Sequence, residues 1–535
     1  MRIFLLTALV IAFGCAAQGQ ALRQTKGTFD DRFRQLDEDF PTPTEARLAS
    51  GAPGPDYWQQ DVDYNISIAL DEGARRLVGS ETITYTNNSP HTLTYLWLQL
   101  DQNRFAADSA DNLTRTSTDD GFIAYYNVRR AGALKDLEGG YTITNVRLLG
   151  RNGGPLTHII NDTNMRIDLP TPLAPGQSIR FALDFSFNMY ETRVIGGRAG
   201  YECFENDDES DNHCIFLAAQ WFPRLHAYSD YEGWHNKAFL GSGEFTLEFG
   251  NYTVEITVPS DHIVSSTGVL ANEATVLSAE QRARLETARD ADAPMFVVTP
   301  EEARAKEAFV AEGTKTWIFE AENVRDFAWA SSRKFIWDAM KVSQEQSGGD
   351  DVLAMSFYPN EAEPLWSAYS TKSIAHTIDV YSRYSFAYPY PTAQSVNGPV
   401  GGMEYPMITF NGPRPVKDDD GNLTYSSRTK HGLISVIIHE IGHIYFPMVV
   451  NSDERQWTWM DEGLNTFLQF VAEKEWDENY PSRRGEARNM IEYMMSDMQV
   501  PIMTQSDSIL QFGNNAYGKP ATALNILRAS PRREG

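Results

Sequence analysis

Cysteine, basic charge and long apolar runs are all scarce in this sequence. Its 535 residues include three cysteines, and Lys and Arg number 46 against 72 Asp and Glu, which gives a formal net charge of −26. A surface this acidic repels nucleic acid and anionic lipid, so nucleic-acid binding is not expected. No stretch beyond the N-terminus approaches about 18 apolar residues, and we therefore expect no transmembrane span.

The sequence does contain enough apolar material for large cores. Hydrophobic residues make up 42% and aromatic residues 12% of the chain. That composition excludes a disordered chain, a collagen and a coiled coil. At roughly 150 residues per domain, the length predicts three or four domains.

A secretory signal is predicted at the N-terminus. One basic residue precedes an apolar run from Ile3 to Phe13, and small residues follow as far as Ala21. This pattern is typical of a signal peptide, here residues 1–21. We expect export to the periplasm, the extracellular space or the outer surface of a bacterium. Two alternatives stay open. One is a lipoprotein anchor at Cys15, and the other is a buried N-terminal helix in place of a signal peptide.

Removal of the signal would leave only Cys203 and Cys214. An even number of cysteines in an exported chain predicts one disulfide, which would close the acidic loop 205–211. That loop is either a solvated surface loop or a calcium site. The first interpretation is favoured because the spacing of a calcium-binding loop is missing.

The pattern of apolar residues changes along the chain. After a polar lead-in at residues 22–55, short runs with strict alternation predict antiparallel sheet, and these extend over a β-rich region, 56–345. Gly348–Asp351 is expected to be a hinge between domains. Residues 346–535 carry mainly helical patterns, so the fold class is α+β with several domains.

The strongest chemical signal is a His-Glu-x-x-His motif at residues 439–443. It lies in an apolar helical segment that Pro447 ends. Two histidines four residues apart face the same side of a helix, so His439 and His443 can bind one Zn²⁺. Glu440 is placed to reach water activated by that metal and to act as a general base.

A catalytic zinc needs a third protein ligand and a free position. Glu462 lies nineteen residues beyond His443, at the predicted start of the next helix. A carboxylate there can return beside the first helix and complete a His₂Glu site. A structural zinc site is disfavoured because no cysteine lies nearby.

Together with Gly401-Gly402-Met403-Glu404, these motifs resemble the M1 family of zinc aminopeptidases. The resemblance extends from about residue 57 to about residue 528. It implies a saddle-shaped antiparallel β domain followed by a thermolysin-like, mostly helical catalytic domain, at residues 346–535. It also implies one zinc ion per chain and peptide substrates with a free N-terminus.

The resemblance assigns a role to each motif residue. Gly401, Gly402 and Met403 would lie along the bound peptide, and Glu404 would bind its α-amino group. Tyr517 matches the family tyrosine that stabilises the oxyanion, and Gln220 is a candidate for a second contact to the amine.

Some positions depart from the family pattern. The residue before the third ligand is Asp461 where Asn is usual, and Gln469 stands where an acidic residue is common. The sequence stops 18 residues after Tyr517, where family members usually continue into further helices. Three alternatives to an aminopeptidase stay open: a surface-anchored peptide-binding protein with little or no activity, a zinc endopeptidase, and an epoxide hydrolase.

Overall fold

The structure is a computed structural model that describes residues 43–114, 123–151, 153–204 and 213–530. The predicted signal peptide with Cys15, the first part of the lead-in and the acidic loop 205–211 lie outside the described residues. From residue 43 to residue 55 the lead-in forms only an isolated bridge between Arg47 and Pro53.

The predicted alternating runs form an eight-stranded sheet in the N-terminal half. Strand Asp61–Asp71 illustrates the alternation: its even-numbered residues from Val62 to Leu70 are buried, and most of its odd-numbered residues are exposed. The strands follow one another across the sheet in the order Val269–Leu270, Thr314–Val324, Gly250–Pro259, Asp61–Asp71, Arg76–Thr86, Ser178–Asn188, Thr142–Leu148 and Gly154–Pro155.

One pair in this sheet corrects the expectation of purely antiparallel strands. Asp61–Asp71 and Gly250–Pro259 pair in parallel, with Ile66 opposite Val254. Parallel neighbours need a long connection, and almost two hundred residues with their own strands separate these two in the chain. Local alternation cannot reveal such a pairing, because it fixes the buried face of a strand and not its direction.

Three smaller sheets complete the N-terminal half. The four-stranded sheet contains Arg224–Leu225, Leu93–Gln99, Asn164–Leu173 and His158–Asn161; the five-stranded sheet contains Ile263–Ser266, Trp329–Ser332, Cys214–Ala218, Gly200–Cys203 and Tyr190–Glu191; and Tyr228–Ser229 pairs with Gly233–Trp234. Within the five-stranded sheet, Cys203 and Cys214 face each other and form the predicted disulfide.

A mixed six-stranded sheet extends across the predicted domain boundary at residues 345/346. Its order is Met295–Val298, Ile336–Val342, Val352–Tyr358, Thr392–Asn397, Ile408–Asn411 and Gly402–Tyr405. Gly348–Asp351, expected to be a hinge, therefore lies in the connection between two antiparallel strands of one sheet. The expected division into domains stays a prediction. The C-terminal half, expected to be mostly helical, contains strands as well as helices.

Four long helices follow or cover this sheet: Leu365–Tyr384, Ser427–His443, Thr458–Trp476 and Lys519–Ala529. We call Ser427–His443 the first site helix and Thr458–Trp476 the second site helix. The helical pattern over 485–499 is realised only as the short pieces Ala487–Met490 and Ile491–Met495. The N-terminal half contains the helices Ala110–Thr114, Tyr125–Leu137, Thr192–Ile195, Glu273–Val276, Ala279–Ala288 and Pro300–Ala308.

One described segment, Ser427–Val449, is long and apolar enough to cross a membrane. Most of this segment is buried inside the protein, and its apolar face includes Leu433, Ile437 and Ile441. Its composition is accounted for by packing as a core helix, since a helix buried on most sides is apolar on most sides.

Arg325 joins the two halves of the chain. It follows strand Thr314–Val324, and its buried guanidinium donates to the carbonyl oxygen of Pro447 at 3.0 Å and to Asn451 Oδ1 at 2.5 Å. It also forms a fully buried ion pair with Glu454. These partners lie in the segment between the two site helices, so Arg325 fixes that segment against the N-terminal half.

We expect Arg325→Met to lower the free energy of unfolding by about 3–5 kcal/mol, because the variant leaves Glu454 buried without its partner. Urea denaturation followed by tryptophan fluorescence measures the change. Arg383→Met is the control. Its partly exposed pairs with Asp379 and Glu475 should contribute no more than about 1 kcal/mol. Equal effects of the two substitutions would contradict the role given to Arg325.

Candidate metal centre

Three predicted ligands converge between the two site helices. His439 Nε2 lies 3.0 Å from both His443 Nε2 and Glu462 Oε2, and His443 Nε2 lies 3.2 Å from the same carboxylate oxygen. Ligand atoms around a tetrahedral Zn²⁺ at 2.0–2.1 Å are separated by about 3.3 Å. The observed separations therefore fit a zinc ion, and all three side chains are almost completely buried.

A close contact between the two helices creates this convergence. Gly442 has no side chain, and a Cβ there would collide with Asn465 Oδ1 and with the hydroxyl of Tyr381. Asn465 uses the space to donate from Nδ2 to the carbonyl oxygen of His439 at 2.8 Å. Since Asn465 lies one turn after Glu462, this bond brings the Glu462 carboxylate beside the imidazoles.

The Nδ1 atom of each imidazole, which faces away from the other ligands, also has a hydrogen-bond partner. His439 Nδ1 lies 2.9 Å from Gln469 Oε1, while Gln469 Nε2 donates to Glu473 Oε1 at 2.9 Å. Because the Gln469 amide donates to Glu473, its oxygen faces the ring, and Nδ1 must carry the proton. The lone pair of His439 Nε2 is then directed at the other ligands.

His443 is oriented by acceptors on the opposite side of its ring. Its Nδ1 lies 2.9 Å from the carbonyl oxygen of Phe446 and 3.0 Å from Asp461 Oδ1. The Phe446 carbonyl oxygen can only accept a hydrogen bond, so Nδ1 of His443 carries a proton and Nε2 is again the ring nitrogen that faces the site. Asp461 and Gln469 depart from the family pattern in the sequence, and these roles were not predicted for them.

Carboxylates other than Glu462 also crowd the site. Ligand atoms of Glu404, Glu440 and His443 lie within 4.8 Å of one another, and Glu404 Oε1 has no hydrogen-bond partner among the described residues. Burial raises the pKa of Glu440 well above its usual range, and the charge of Glu404 adds to the effect. Burial would also raise the pKa of Glu462, but the adjacent imidazoles of His439 and His443, when protonated, lower it.

The predicted peptide-binding segment is the edge strand of the six-stranded sheet. Gly402–Tyr405 pairs with Ile408–Asn411 on one side only, and Gly402, Met403 and Glu404 line the site cavity. A Cβ on Gly402 would collide with the carboxylate of Glu440. Gly401 lines a smaller neighbouring cavity instead.

Gln220 lies outside the main cavity. It lines the same smaller cavity as Gly401, and its Nε2 donates to Glu244 Oε2 at 3.3 Å. Glu244 in turn accepts from Arg198 at 2.8 Å, and both of these residues line the site cavity. Glu244 and Arg198 were not predicted from the sequence, because single charged residues in the β-rich half carry no spacing signal.

Tyr517 lies against the first ligand. Its ring stacks on that of His439 with centroids 5.6 Å apart, and the guanidinium of Arg484 lies 4.1 Å from the centre of the Tyr517 ring. Burial raises the pKa of Tyr517 well above its usual range, and the Glu462 charge acts in the same direction. Gly463 makes this packing possible, since a Cβ there would collide with Pro520.

The site cavity has a volume of about 970 Å³ and contains the three ligands, Glu404, Glu440 and Tyr517. A larger cavity of about 2400 Å³ includes none of the predicted site residues. Two imidazoles and one carboxylate beside an accessible cavity form the ligand set of a catalytic zinc hydrolase.

Comparison with known proteins identifies the family. Residues 369–530, about 30% of the chain, match the Peptidase family M1 domain. The resemblance predicted from the motifs is thereby confirmed, and the family implies a peptidase that uses zinc. No curated protein sequence matches the chain.

Solved structures agree in fold. An M1 zinc metallopeptidase from Deinococcus radiodurans is similar with a TM-score of 0.50 and 14% identity, over 89% of this chain and 83% of that chain. A mutant two-domain M1 zinc metallopeptidase bound to L-tryptophan has a TM-score of 0.50 and 14% identity, over 89% and 84% of the two chains. At 14% sequence identity, this similarity establishes the fold alone.

We expect Glu462→Gln to weaken zinc binding by at least about 100-fold, because the amide lacks the charge that the two neutral imidazoles require of their partner. Competition with a chromophoric chelator measures the affinity. His431→Ala, which changes a histidine of the same cavity outside the ligand group, should bind zinc like the wild type. Equal zinc affinity in Glu462→Gln and wild type would remove Glu462 from the ligand set.

Proposed function

We propose that this protein is a zinc aminopeptidase that hydrolyses the first peptide bond of peptides with a free N-terminus. One observation carries the proposal. Glu404 is a buried carboxylate with an unpartnered oxygen, and its ligand atom lies within 4.8 Å of those of Glu440 and His443. A fixed carboxylate beside the metal ligands can pair with an α-ammonium group and sets its distance from the bond to be cleaved.

The edge strand supports a defined direction for the peptide. Gly402–Tyr405 has one unpaired side, and an extended peptide can add to such an edge through main-chain hydrogen bonds. Glu404 on this strand would then hold the first residue of the peptide. The L-tryptophan in the related two-domain metallopeptidase is a free amino acid with an α-amino group, the kind of group proposed here for Glu404.

The proposed chemistry divides between the metal and the side chains. Zinc held by His439, His443 and Glu462 would supply a Lewis acid that activates water and polarises the carbonyl group. Glu440 accepts the proton of the attacking water and passes it to the leaving amine. Tyr517 donates its hydroxyl hydrogen to the oxygen on which negative charge develops.

Export of the enzyme is part of the proposal. The disulfide between Cys203 and Cys214 supports an oxidising compartment, because such bonds are rare in the cytosol. The signal pattern in residues 1–21 supports the same conclusion.

We expect Glu440→Gln to keep its zinc and to lose about 10²- to 10⁴-fold in kcat on aminoacyl-anilides, since an amide cannot accept the proton. Metal analysis and initial rates are measured on one preparation. Glu475→Gln, a surface carboxylate paired with Arg383, is the control and should keep both properties. Turnover like that of the wild type in zinc-loaded Glu440→Gln would exclude Glu440 as the base.

We expect Glu404→Ala to raise KM for free-amine substrates by about tenfold or more, which is the contribution of one charge-assisted hydrogen bond. The rate on a free peptide is compared with the rate on the same peptide acetylated at its N-terminus. The wild type should strongly prefer the free peptide, and Glu404→Ala should lose most of that preference. An endopeptidase would cleave both forms equally well, which would contradict the proposal.

A further inference from the structure

A second group of possible metal ligands lies apart from the catalytic centre. It consists of Glu232, His235 and Asp453, and one ligand atom from each lies within 4.8 Å of the other two. All three side chains line the larger cavity of about 2400 Å³, which contains none of the predicted site residues. His235 and Asp453 are 218 residues apart in the chain, so no local spacing could reveal the group.

The three side chains come from both halves of the chain. Glu232 lies in the turn of the hairpin 228–234, and His235 directly follows that hairpin. Asp453 lies in the segment between the two site helices, which Arg325 fixes against the N-terminal half. A ligand bound by the group would therefore join the same two parts of the protein as Arg325 does.

The distances within the group suit a small divalent cation. His235 Nδ1 lies 3.0 Å from Asp453 Oδ2 and 3.7 Å from Glu232 Oε2. Ligand atoms around a tetrahedral Zn²⁺ at 2.0–2.2 Å are about 3.3–3.6 Å apart. The two observed separations lie on either side of this range, so shifts of a few tenths of an ångström would accommodate the ion.

Gln456 lies where the two carboxylates converge. Its Nε2 atom is 2.8 Å from Glu232 Oε2 and 2.9 Å from Asp453 Oδ2. The amide donor thus occupies a place to which oxygens from both carboxylates are directed. Half a turn of the amide about its last bond would present Oε1 there instead, as a neutral oxygen ligand. Gln456 is therefore available as the fourth ligand that a closed zinc site requires.

The two buried members of the group are oriented by further hydrogen bonds. His235 Nε2 lies 2.7 Å from Ser229 Oγ, and Asp453 Oδ1 accepts from Thr246 Oγ1 at 2.7 Å. Both side chains are almost completely buried, whereas the Glu232 side chain is 39% exposed. Partners of this kind orient metal ligands, and here they turn Nδ1 and Oδ2 towards each other.

The cavity around the group carries an excess of acidic side chains. Among the described residues that line it, the only Lys or Arg is Arg47, which is paired with Asp230. Burial raises the pKa of Glu248 to about 8, so the negative charge comes from the other acidic residues. The acidic residues of the wall are Asp230, Glu232, Glu248, Glu320, Glu322 and Asp453. Such a wall concentrates cations near the group.

We propose that Glu232, His235 and Asp453, with Gln456 as a fourth ligand, form a second zinc site. One imidazole with oxygen ligands suits zinc better than calcium, which takes six to eight oxygen ligands. Zinc bound there fixes the segment between the site helices in addition to Arg325. The chain then binds two zinc ions, and this inference goes beyond the proposed function and does not depend on it.

The experiment counts zinc on the full chain. Protein stripped with a chelator is equilibrated with zinc buffers from picomolar to micromolar free Zn²⁺, and bound metal is measured by elemental mass spectrometry. The wild type is compared with Glu232→Gln and with Glu322→Gln. Glu322 is the matched control, because it is an exposed glutamate of the same cavity outside the ligand group. Glu462→Gln identifies the zinc ion that belongs to the catalytic centre.

We expect the wild type and Glu322→Gln to bind two zinc ions. Glu232→Gln should weaken the binding of one ion by about tenfold or more, because it removes one charge from the ligand set. Glu462→Gln should weaken the binding of the other ion. Crystals of the zinc-loaded wild type should also show an anomalous scattering peak between His235 and Asp453, which tests the site even if a variant does not fold.

Three results would overturn the inference. They are a wild type that binds no zinc beyond the ion that Glu462→Gln affects, equal zinc binding by Glu232→Gln and Glu322→Gln, and filling of the site by Ca²⁺ in preference to Zn²⁺ when both are supplied. A wild type that binds only the ion affected by Glu232→Gln would support the second site, and it would count against the proposed function instead.

Discussion

The site depends on how closely the two site helices approach each other at Gly442. Asn465 and Tyr381 occupy the space that a side chain at Gly442 would fill, and Asn465 is hydrogen-bonded to the main chain at His439. A larger residue at Gly442 would separate the helices and move Glu462 away from the imidazoles. Gly463 likewise allows Pro520 to pack closely against the second site helix, and this packing positions Tyr517.

This packing concentrates negative charge in a small buried volume. Ligand atoms of Glu404, Glu454 and Asp461 form one close group, and those of Glu404, Glu440 and His443 form another. Burial raises the pKa of Asp461 and Glu440 well above their usual ranges, as expected where carboxylates crowd together away from water. Arg325 and Arg198 offset part of this charge, and a divalent cation between the histidines would offset more of it.

The arrangement of site residues could be predicted from the sequence where a fixed local spacing determines it. His439 and His443 are related by one helical turn, so their common face could be predicted without any tertiary contact. Glu462 required the further assumption that the next helix returns beside the first, and the structure places it there. The disulfide followed from a count of two cysteines.

Features that depend on distant contacts were beyond such patterns. Strand Asp61–Asp71 pairs in parallel with Gly250–Pro259, and the six-stranded sheet includes Met295–Val298 from before the predicted boundary. Glu244 and Arg198 reach the cavity only because the N-terminal half packs against the edge strand. The helix predicted after residue 485 is broken into short pieces, so helical periodicity there was a poor guide to length.

The brevity of the strand Gly402–Tyr405 has a consequence for the enzyme in a mixture of proteins. The strand is only four residues long, and Gly402, Met403 and Glu404 lie on the wall of a cavity of about 970 Å³. A long exposed edge would recruit strands from other chains and promote aggregation. A short edge recessed in a cavity wall leaves little backbone for another chain to pair with, so this strand adds little to the risk of association.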